Sequence, residues 1–202
     1  TIKMAPVRMD FEGYILNLID TPGHSDFSYE VSRSLKAVEG AILLVDATQG
    51  IQAQTLANLE SARKAGLKFI GAVSKVDIAS SEQTEQAVKD LAELLEISDG
   101  EIFKVSGKTG EGVKELLREV IRKFPEPKET ESRAALVFSS LYDEHKGVLA
   151  FVRVFNGEFR TQTNARLIGA RAEFKIKEVG FFKPELKAED VIRSGEIGYI
   201  AT

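Results

Sequence analysis

The chain has 202 residues, 43% of them hydrophobic, with 27 Lys and Arg against 31 Asp and Glu and a formal net charge of −4. This is ample apolar content for a packed core, and it excludes a disordered polyelectrolyte. Cysteine is absent and the histidines are His24 and His145 alone, which excludes disulfides and argues against a structural zinc centre.

No apolar run approaches the roughly eighteen residues of a membrane span. Residues 1–128 hold 16 basic against 20 acidic side chains, and residues 129–202 hold 11 of each. Neither part reads as a self-sufficient nucleic-acid binder, and DNA is not an expected partner. The opening on Thr1, inside the strand-like run Ile2–Met9, and the unpunctuated end at Thr202 read as a segment of a longer protein.

In chain order, apolar runs of strand length alternate with helical patterns. Strands are predicted at Tyr14–Thr21, Ala41–Thr48, Lys68–Val76 and Glu101–Val105, and helices at Phe27–Val38, Gln52–Lys64, Glu82–Leu95 and Gly112–Phe124. Val88, Leu91, Leu94 and Leu95 share one face of the third helix, and Ser80 with Gln83 has the spacing of a capping box. Val113, Leu116, Leu117, Val120 and Ile121 form the apolar face of the fourth. Such alternation predicts an α/β domain, a parallel sheet covered by helices on both faces, with its ligand site beyond the carboxyl ends of the strands.

Pro125 and Pro127 end the last helix and begin a short charged linker. After Arg133 the period changes to two: Val148, Ala150, Val152 and Val154 alternate with Leu149, Phe151, Arg153 and Phe155. Asn156-Gly157 is a hairpin-turn signal. Short strands without helices between them predict a small antiparallel β-barrel. The expected organisation is a first domain over residues 1–128 and a second over 129–202.

Three motifs sit at predicted carboxyl strand ends. Asp20-Thr21-Pro22-Gly23-His24 offers an aspartate for Mg²⁺, a bare backbone N–H at Gly23 for a terminal phosphate and a histidine able to position a water, though Asp, Pro and Gly are also ordinary turn residues. In Ser74-Lys75-Val76-Asp77 the aspartate can accept the N1–H and exocyclic amine of guanine, a donor pair adenine lacks, while Lys75 lays its aliphatic stem over the base. In Ser106-Gly107-Lys108 a small residue lets a backbone N–H reach a base carbonyl, and Lys108 can flank the ring. Gly107-Lys108-Thr109 mimics the end of a phosphate-binding loop, but that motif needs a glycine where Ile102 stands. Asp46 reads as a cap or loop anchor in preference to a second metal carboxylate, and His145 as an exposed turn residue.

These motifs, in this order, resemble the GTPases of translation. The stretches Asp26–Leu35, Glu39-Gly40-Ala41 and Asp46–Thr55 look like the elongation factor 4 family, also called LepA, and Leu141-Tyr142-Asp143, Gly147-Val148 and Gly195–Ile200 are similar to that family's second domain. The resemblance implies a GTPase-type parallel sheet followed by a small barrel, and a ribosome-dependent GTP hydrolase with Mg²⁺ as cofactor, proposed to back-translocate or quality-control the elongating ribosome. It implies roles by position: Thr1 and Asp20 on Mg²⁺; Asp20, Thr21, Pro22, Gly23 and His24 at the phosphates; His24 orienting the attacking water. Ser74, Lys75, Val76 and Asp77, with Ser106, Gly107 and Lys108, would read guanine.

Implied partners are GTP and GDP and the ribosome, with its rRNA, proteins and tRNA. The implied state is a cytoplasmic monomer that contacts the inner face of the cell membrane peripherally. The chain departs from the family pattern at Ser74, usually asparagine, and at Ser25, usually valine, and the family's phosphate-binding loop lies upstream of Thr1. Elongation factor G or BipA-type factors, and a binding module without hydrolysis, remain alternatives at this level.

Overall fold

The computed structural model describes residues 5–21, 28–128, 130–183 and 185–202, so Thr1, Pro22, Gly23 and His24 lie outside the described residues. The described residues divide into two compact units, one spanning residues 38–126 and the other joining 5–21 and 28–37 to the chain from Pro127 onward.

The first unit is built on a parallel sheet in the order β3-β4-β5, with β3 at Gly40–Asp46, β4 at Lys68–Ser74 and β5 at Phe103–Lys104. Between the strands run α2 (Ala53–Lys64) and α3 (Ser81–Leu95), and α4 (Val113–Lys123) follows β5. The two faces of the sheet bury separate clusters, as alternating side chains require. Leu43, Val45 and Val73 pack with Leu59 of α2 and with Val88 and Leu91 of α3. Ile70 and Ala72 pack with Leu116, Val113 and Val120 of α4.

Helix α3 begins with the predicted capping box: Gln83 N–H donates to Ser80 Oγ at 3.2 Å, and Ser80 N–H donates to Gln83 Oε1 at 2.9 Å. Gly112 caps α4 with φ +66°, and a Cβ there would lie 2.0 Å from the Lys104 carbonyl oxygen, so only glycine lets the helix start this close to β5.

The predicted strand at Tyr14–Thr21 forms, as β2 (Tyr14–Asp20), but among the described residues it pairs only with β1 (Ala5–Phe11) and not with the parallel sheet. The connection explains the antiparallel sense. Phe11 and Tyr14 are partners across a two-residue turn, Glu12-Gly13, in which both residues have positive φ (48° and 84°). That is a tight hairpin turn, whereas parallel neighbours need a crossover of a dozen residues or more. Tyr14, Ile15 and Leu18 are about half exposed, so β2 is not the fully covered strand its composition suggested.

Among the described residues, every strand pairing of the second unit is antiparallel. Its main sheet runs β12-β11-β14-β7-β6, with β6 at Ala134–Asp143, β7 at Gly147–Asn156, β11 at Glu178–Lys183, β12 at Glu185–Glu189 and β14 at Ile197–Ala201. Two further ladders join β9 (Asn164–Leu167) to β10 (Ala172–Lys175) and β8 (Glu158–Arg160) to β13 (Val191–Arg193). The period-two pattern of β7 divides as predicted: Leu149 and Phe151 enter a cluster with Phe138, Phe182 and Tyr199, while Val152 and Val154 enter another with Ile176, Val179 and Ile192. Helix α1 (Ser28–Ser34) and Ala37 belong to this unit, where buried Arg153 donates to the Ala37 carbonyl at 3.1 Å.

Asn156-Gly157 does not form the predicted hairpin. Of the two residues only Gly157 has positive φ (77°), where a two-residue primed turn needs both, and β8 pairs with β13 instead of folding back on β7. His145 is an exposed turn residue, as expected, in a loop tied by Asp143 Oδ1, which accepts the N–H groups of His145 and Lys146.

Candidate guanine-nucleotide site

The predicted base-reading residues gather at the carboxyl ends of the neighbouring strands β4 and β5. Ser74 closes β4, half-buried, and its Oγ donates to the Val45 carbonyl at 3.2 Å. Lys75 follows with φ +61°, an uncommon backbone for a residue with a side chain. Its carbonyl accepts the N–H groups of Ile78 and Ala79, which closes a tight turn into α3. Val76 N–H reaches the Val105 carbonyl at 3.5 Å, so the turn is fastened to the end of β5, and Asp77 stands exposed on it.

Ser106 is fully buried and organises the second loop through its side chain. Its Oγ accepts Lys108 N–H at 3.3 Å and Thr109 N–H at 3.1 Å, while its own N–H donates to the Glu111 carbonyl at 3.0 Å. Those amides are therefore spent on the loop. Among the described residues, Gly107 N–H makes no hydrogen bond, and a Cβ at Gly107 would meet nothing within 4 Å. Of the amides at Ser106, Gly107 and Lys108, the one open to a ligand carbonyl is that of Gly107.

Asp46, read from the sequence as a loop anchor, also meets the base-reading residues. It closes β3 opposite Ser74, and its Oδ1 accepts both Thr48 N–H (2.9 Å) and Thr48 Oγ1–H (2.7 Å), the loop-anchor role its position suggested. Its Oδ2 pairs with Lys75 Nζ at 2.7 Å. Burial works against the charged carboxyl, but the hydrogen bonds from Lys75 and Thr48 outweigh it and hold the group below the usual aspartate range. Only the Asp-x-Thr spacing hinted at the local part; the contact with Lys75 depends on strand register.

Asp20 ends β2, exposed, followed by half-buried Thr21. Among the described residues no group of three or more His, Asp and Glu side chains forms a ready metal cage. A shallow polar depression between Arg8, Phe181, Asp190 and Glu196 on the β unit contains none of the predicted residues.

Residues 1–126 match the sequence model of the elongation factor Tu GTP-binding domain. The chain belongs to that family. Among curated relatives of this family member, elongation factor 4 of Syntrophomonas wolfei is 42% identical over the whole chain, and those of Tropheryma whipplei and Thermobifida fusca are each 45% identical. These relatives bear out the elongation factor 4 resemblance. The chain spans about a third of their length, 34–35%.

In fold, the whole chain aligns with translation elongation factor SelB from Methanococcus maripaludis in complex with the GTP analogue GppNHp, at a TM-score of 0.81, 20% identity and 46% of that chain. It also aligns with a bacterial selenocysteine-specific elongation factor, EF-Sec, at 0.79, 23% identity and 35% of that chain. The fold class expected from the sequence, a GTPase-type parallel sheet followed by a small antiparallel β domain, is the one observed. No helix among the described residues is long and apolar enough to cross a membrane.

Proposed function

We propose that the protein is a ribosome-dependent GTP hydrolase of the elongation factor 4 type, acting in protein synthesis on the elongating ribosome by back-translocation or quality control. In this reading residues 1–128 form the GTP-binding domain and 129–202 the second domain; the family match over residues 1–126 supports that boundary, while by compactness residues 5–21 and 28–37 group with the chain from Pro127 onward. The observation that carries the reading is that Ser74–Asp77 and Ser106–Lys108 stand at the carboxyl ends of adjacent parallel strands, where α/β folds bind ligands.

Each residue has a task. Asp77 accepts the N1–H and amine of guanine, Gly107 N–H donates to the base carbonyl, and the stems of Lys75 and Lys108 flank the ring. Val76 and Ser106 hold the two loops, through Val76 N–H on Val105 and through Ser106 Oγ on the loop amides. Asp20, Thr21, Pro22, Gly23 and His24 serve the phosphates, with Gly23 donating its N–H to the γ-phosphate, and His24 orients the attacking water. Hydrolysis then releases the segments that the γ-phosphate held and changes the grip on the ribosome.

Magnesium fits the donor that Asp20 supplies. An exposed carboxylate at a strand end is a hard oxygen ligand, and Mg²⁺ is ordinarily held by one or two carboxylates with phosphates and waters completing its octahedron. Asp20, with the Thr1 hydroxyl, would hold it, and the ion would neutralise phosphate charge. The proposed partners are GTP, GDP and the ribosome, and the proposed state is a cytoplasmic monomer with peripheral contact at the membrane's inner face.

The deciding experiment is Asp77→Asn in the intact protein. An amide offers guanine one acceptor and a misplaced donor, so preference moves from GTP towards xanthosine triphosphate; unchanged selectivity removes Asp77 from the base site.

A further inference from the structure

Lys75 is held from two directions. Its backbone sits in the left-handed region at φ +61°, a conformation that persists in a non-glycine residue only when its surroundings over-determine it. The surroundings do so: Ile78 and Ala79 donate to its carbonyl, Val76 N–H reaches Val105, and Ala47 N–H binds the Ser74 carbonyl at 3.0 Å. The side chain leaves this turn and ends on Asp46 Oδ2 at 2.7 Å.

The two partners are unequal. The Asp46 side chain is 18% exposed and both its oxygens are engaged, Oδ1 by the backbone and hydroxyl of Thr48. The Lys75 side chain is 52% exposed. The carboxylate is therefore the fixed anchor and the lysine the tethered arm, a half-exposed side chain that runs from the αL turn to the anchor. An exposed ion pair of this kind adds little to folding stability. What it does is remove rotamer freedom from a long side chain before a ligand arrives.

We propose that Asp46 is a positioning residue for base recognition: it pre-orders Lys75 so that the lysine stem meets a purine ring without a further ordering cost. The proposal rests on the reading of Ser74–Asp77 as the guanine pocket. Asp46 touches no ligand in this scheme; it acts through Lys75.

The test is calorimetric binding of GDP, and of inorganic pyrophosphate as a probe without a base, to the intact protein. Asp46→Asn keeps the side-chain shape and an acceptor for Thr48 while removing the charge. GDP affinity then falls about two- to tenfold, the scale of ordering one rotamer-rich side chain, while pyrophosphate affinity holds. Asp46→Glu, which restores the charge, recovers part of the GDP affinity. Lys75→Met and the double variant Asp46→Asn/Lys75→Met bind GDP alike, because the anchor has nothing left to hold.

The proposal is overturned if Asp46→Asn binds GDP as the native protein does, if pyrophosphate weakens equally, or if Asp46→Asn weakens the Lys75→Met protein further. Asp77→Asn separates the two failures. If it does not alter base selectivity, the pocket reading fails and this inference with it. If it does and Asp46→Asn is inert, the role of Asp46 alone fails.

Discussion

Ser74 Oγ donates to the Val45 carbonyl at 3.2 Å and so joins the ends of β4 and β3 immediately before the Lys75 turn. The hydroxyl proton is committed to the strand end. Ser74→Asn replaces this short donor with an amide that also reaches outward over the site. Guanine nucleotide affinity is expected to tighten by about 0.5–1.5 kcal/mol, the net worth of one hydrogen bond. Calorimetry with GDP checks this, and a fall in affinity would mark Ser74 as an adaptation of this site to its own geometry.

In the proposed reading the chief task of His24 is to orient the attacking water. His24→Ala is therefore expected to lower ribosome-stimulated GTP turnover by roughly 10²–10⁴-fold, the usual scale for loss of a positioned acid–base group. GDP affinity should stay within a factor of about two, since less than about 0.5 kcal/mol of ground-state contact is removed. Single-turnover kinetics alongside nucleotide titration separates the two, and a large affinity loss would make His24 a binding residue.

In the β unit, Glu178 Oε1 accepts from Tyr199 Oη at 2.6 Å and pairs with Lys146 Nζ. Burial opposes ionisation of Glu178, but the hydrogen bonds from Lys146 and Tyr199 outweigh it and hold its carboxyl below the ordinary glutamate range. Burial first, and the Glu178 carboxylate second, push the Tyr199 phenol upward. A depressed folded-state pKa gives stability that is present above the unfolded value and is lost as pH falls through the folded one. Tyr199→Phe is thus expected to cost about 1–3 kcal/mol at neutral pH. The gap to the native protein narrows as pH drops below the glutamate range, and urea melts at pH 7 and pH 3 measure it.

Glu96 ends α3 with φ +59°, a left-handed C-cap occupied by a residue with a Cβ. Glu96→Gly removes that strain at some cost in unfolded-state entropy and is expected to stabilise the α/β unit by up to about 1 kcal/mol. Denaturant midpoints at constant m-value test it, and a loss of stability would show that the Glu96 side chain makes a compensating interaction.

Much of the architecture was legible because it is local. The 3.6-residue apolar faces of α3 and α4, the Ser80/Gln83 box and the alternation along β7 are properties of neighbouring residues, and each appears where its spacing placed it. Turn chemistry was harder to read. Asn156-Gly157 has the composition of a hairpin turn, but a hairpin also needs a partner returning on the same ladder, and β8 finds β13. Conversely, Glu12-Gly13 carried a weaker turn signal and makes the tight hairpin between β1 and β2.

For the site the same division holds, and it is the deeper one. The sequence by itself determined the chemistry on offer: an aspartate able to read guanine at Asp77, a glycine amide at Gly107, a carboxylate at Asp20, and the strand ends on which they stand. Only the tertiary structure decided which of those groups remain available and what holds them. The amides of Ser106, Lys108 and Thr109 are consumed within their own loop, Ser74 is turned onto Val45, and Asp46 reaches Lys75 because parallel register sets Asp46 beside Ser74. Hydrogen-bond partners across strands follow from register and from competition for each donor, and neither quantity exists until the chain has folded.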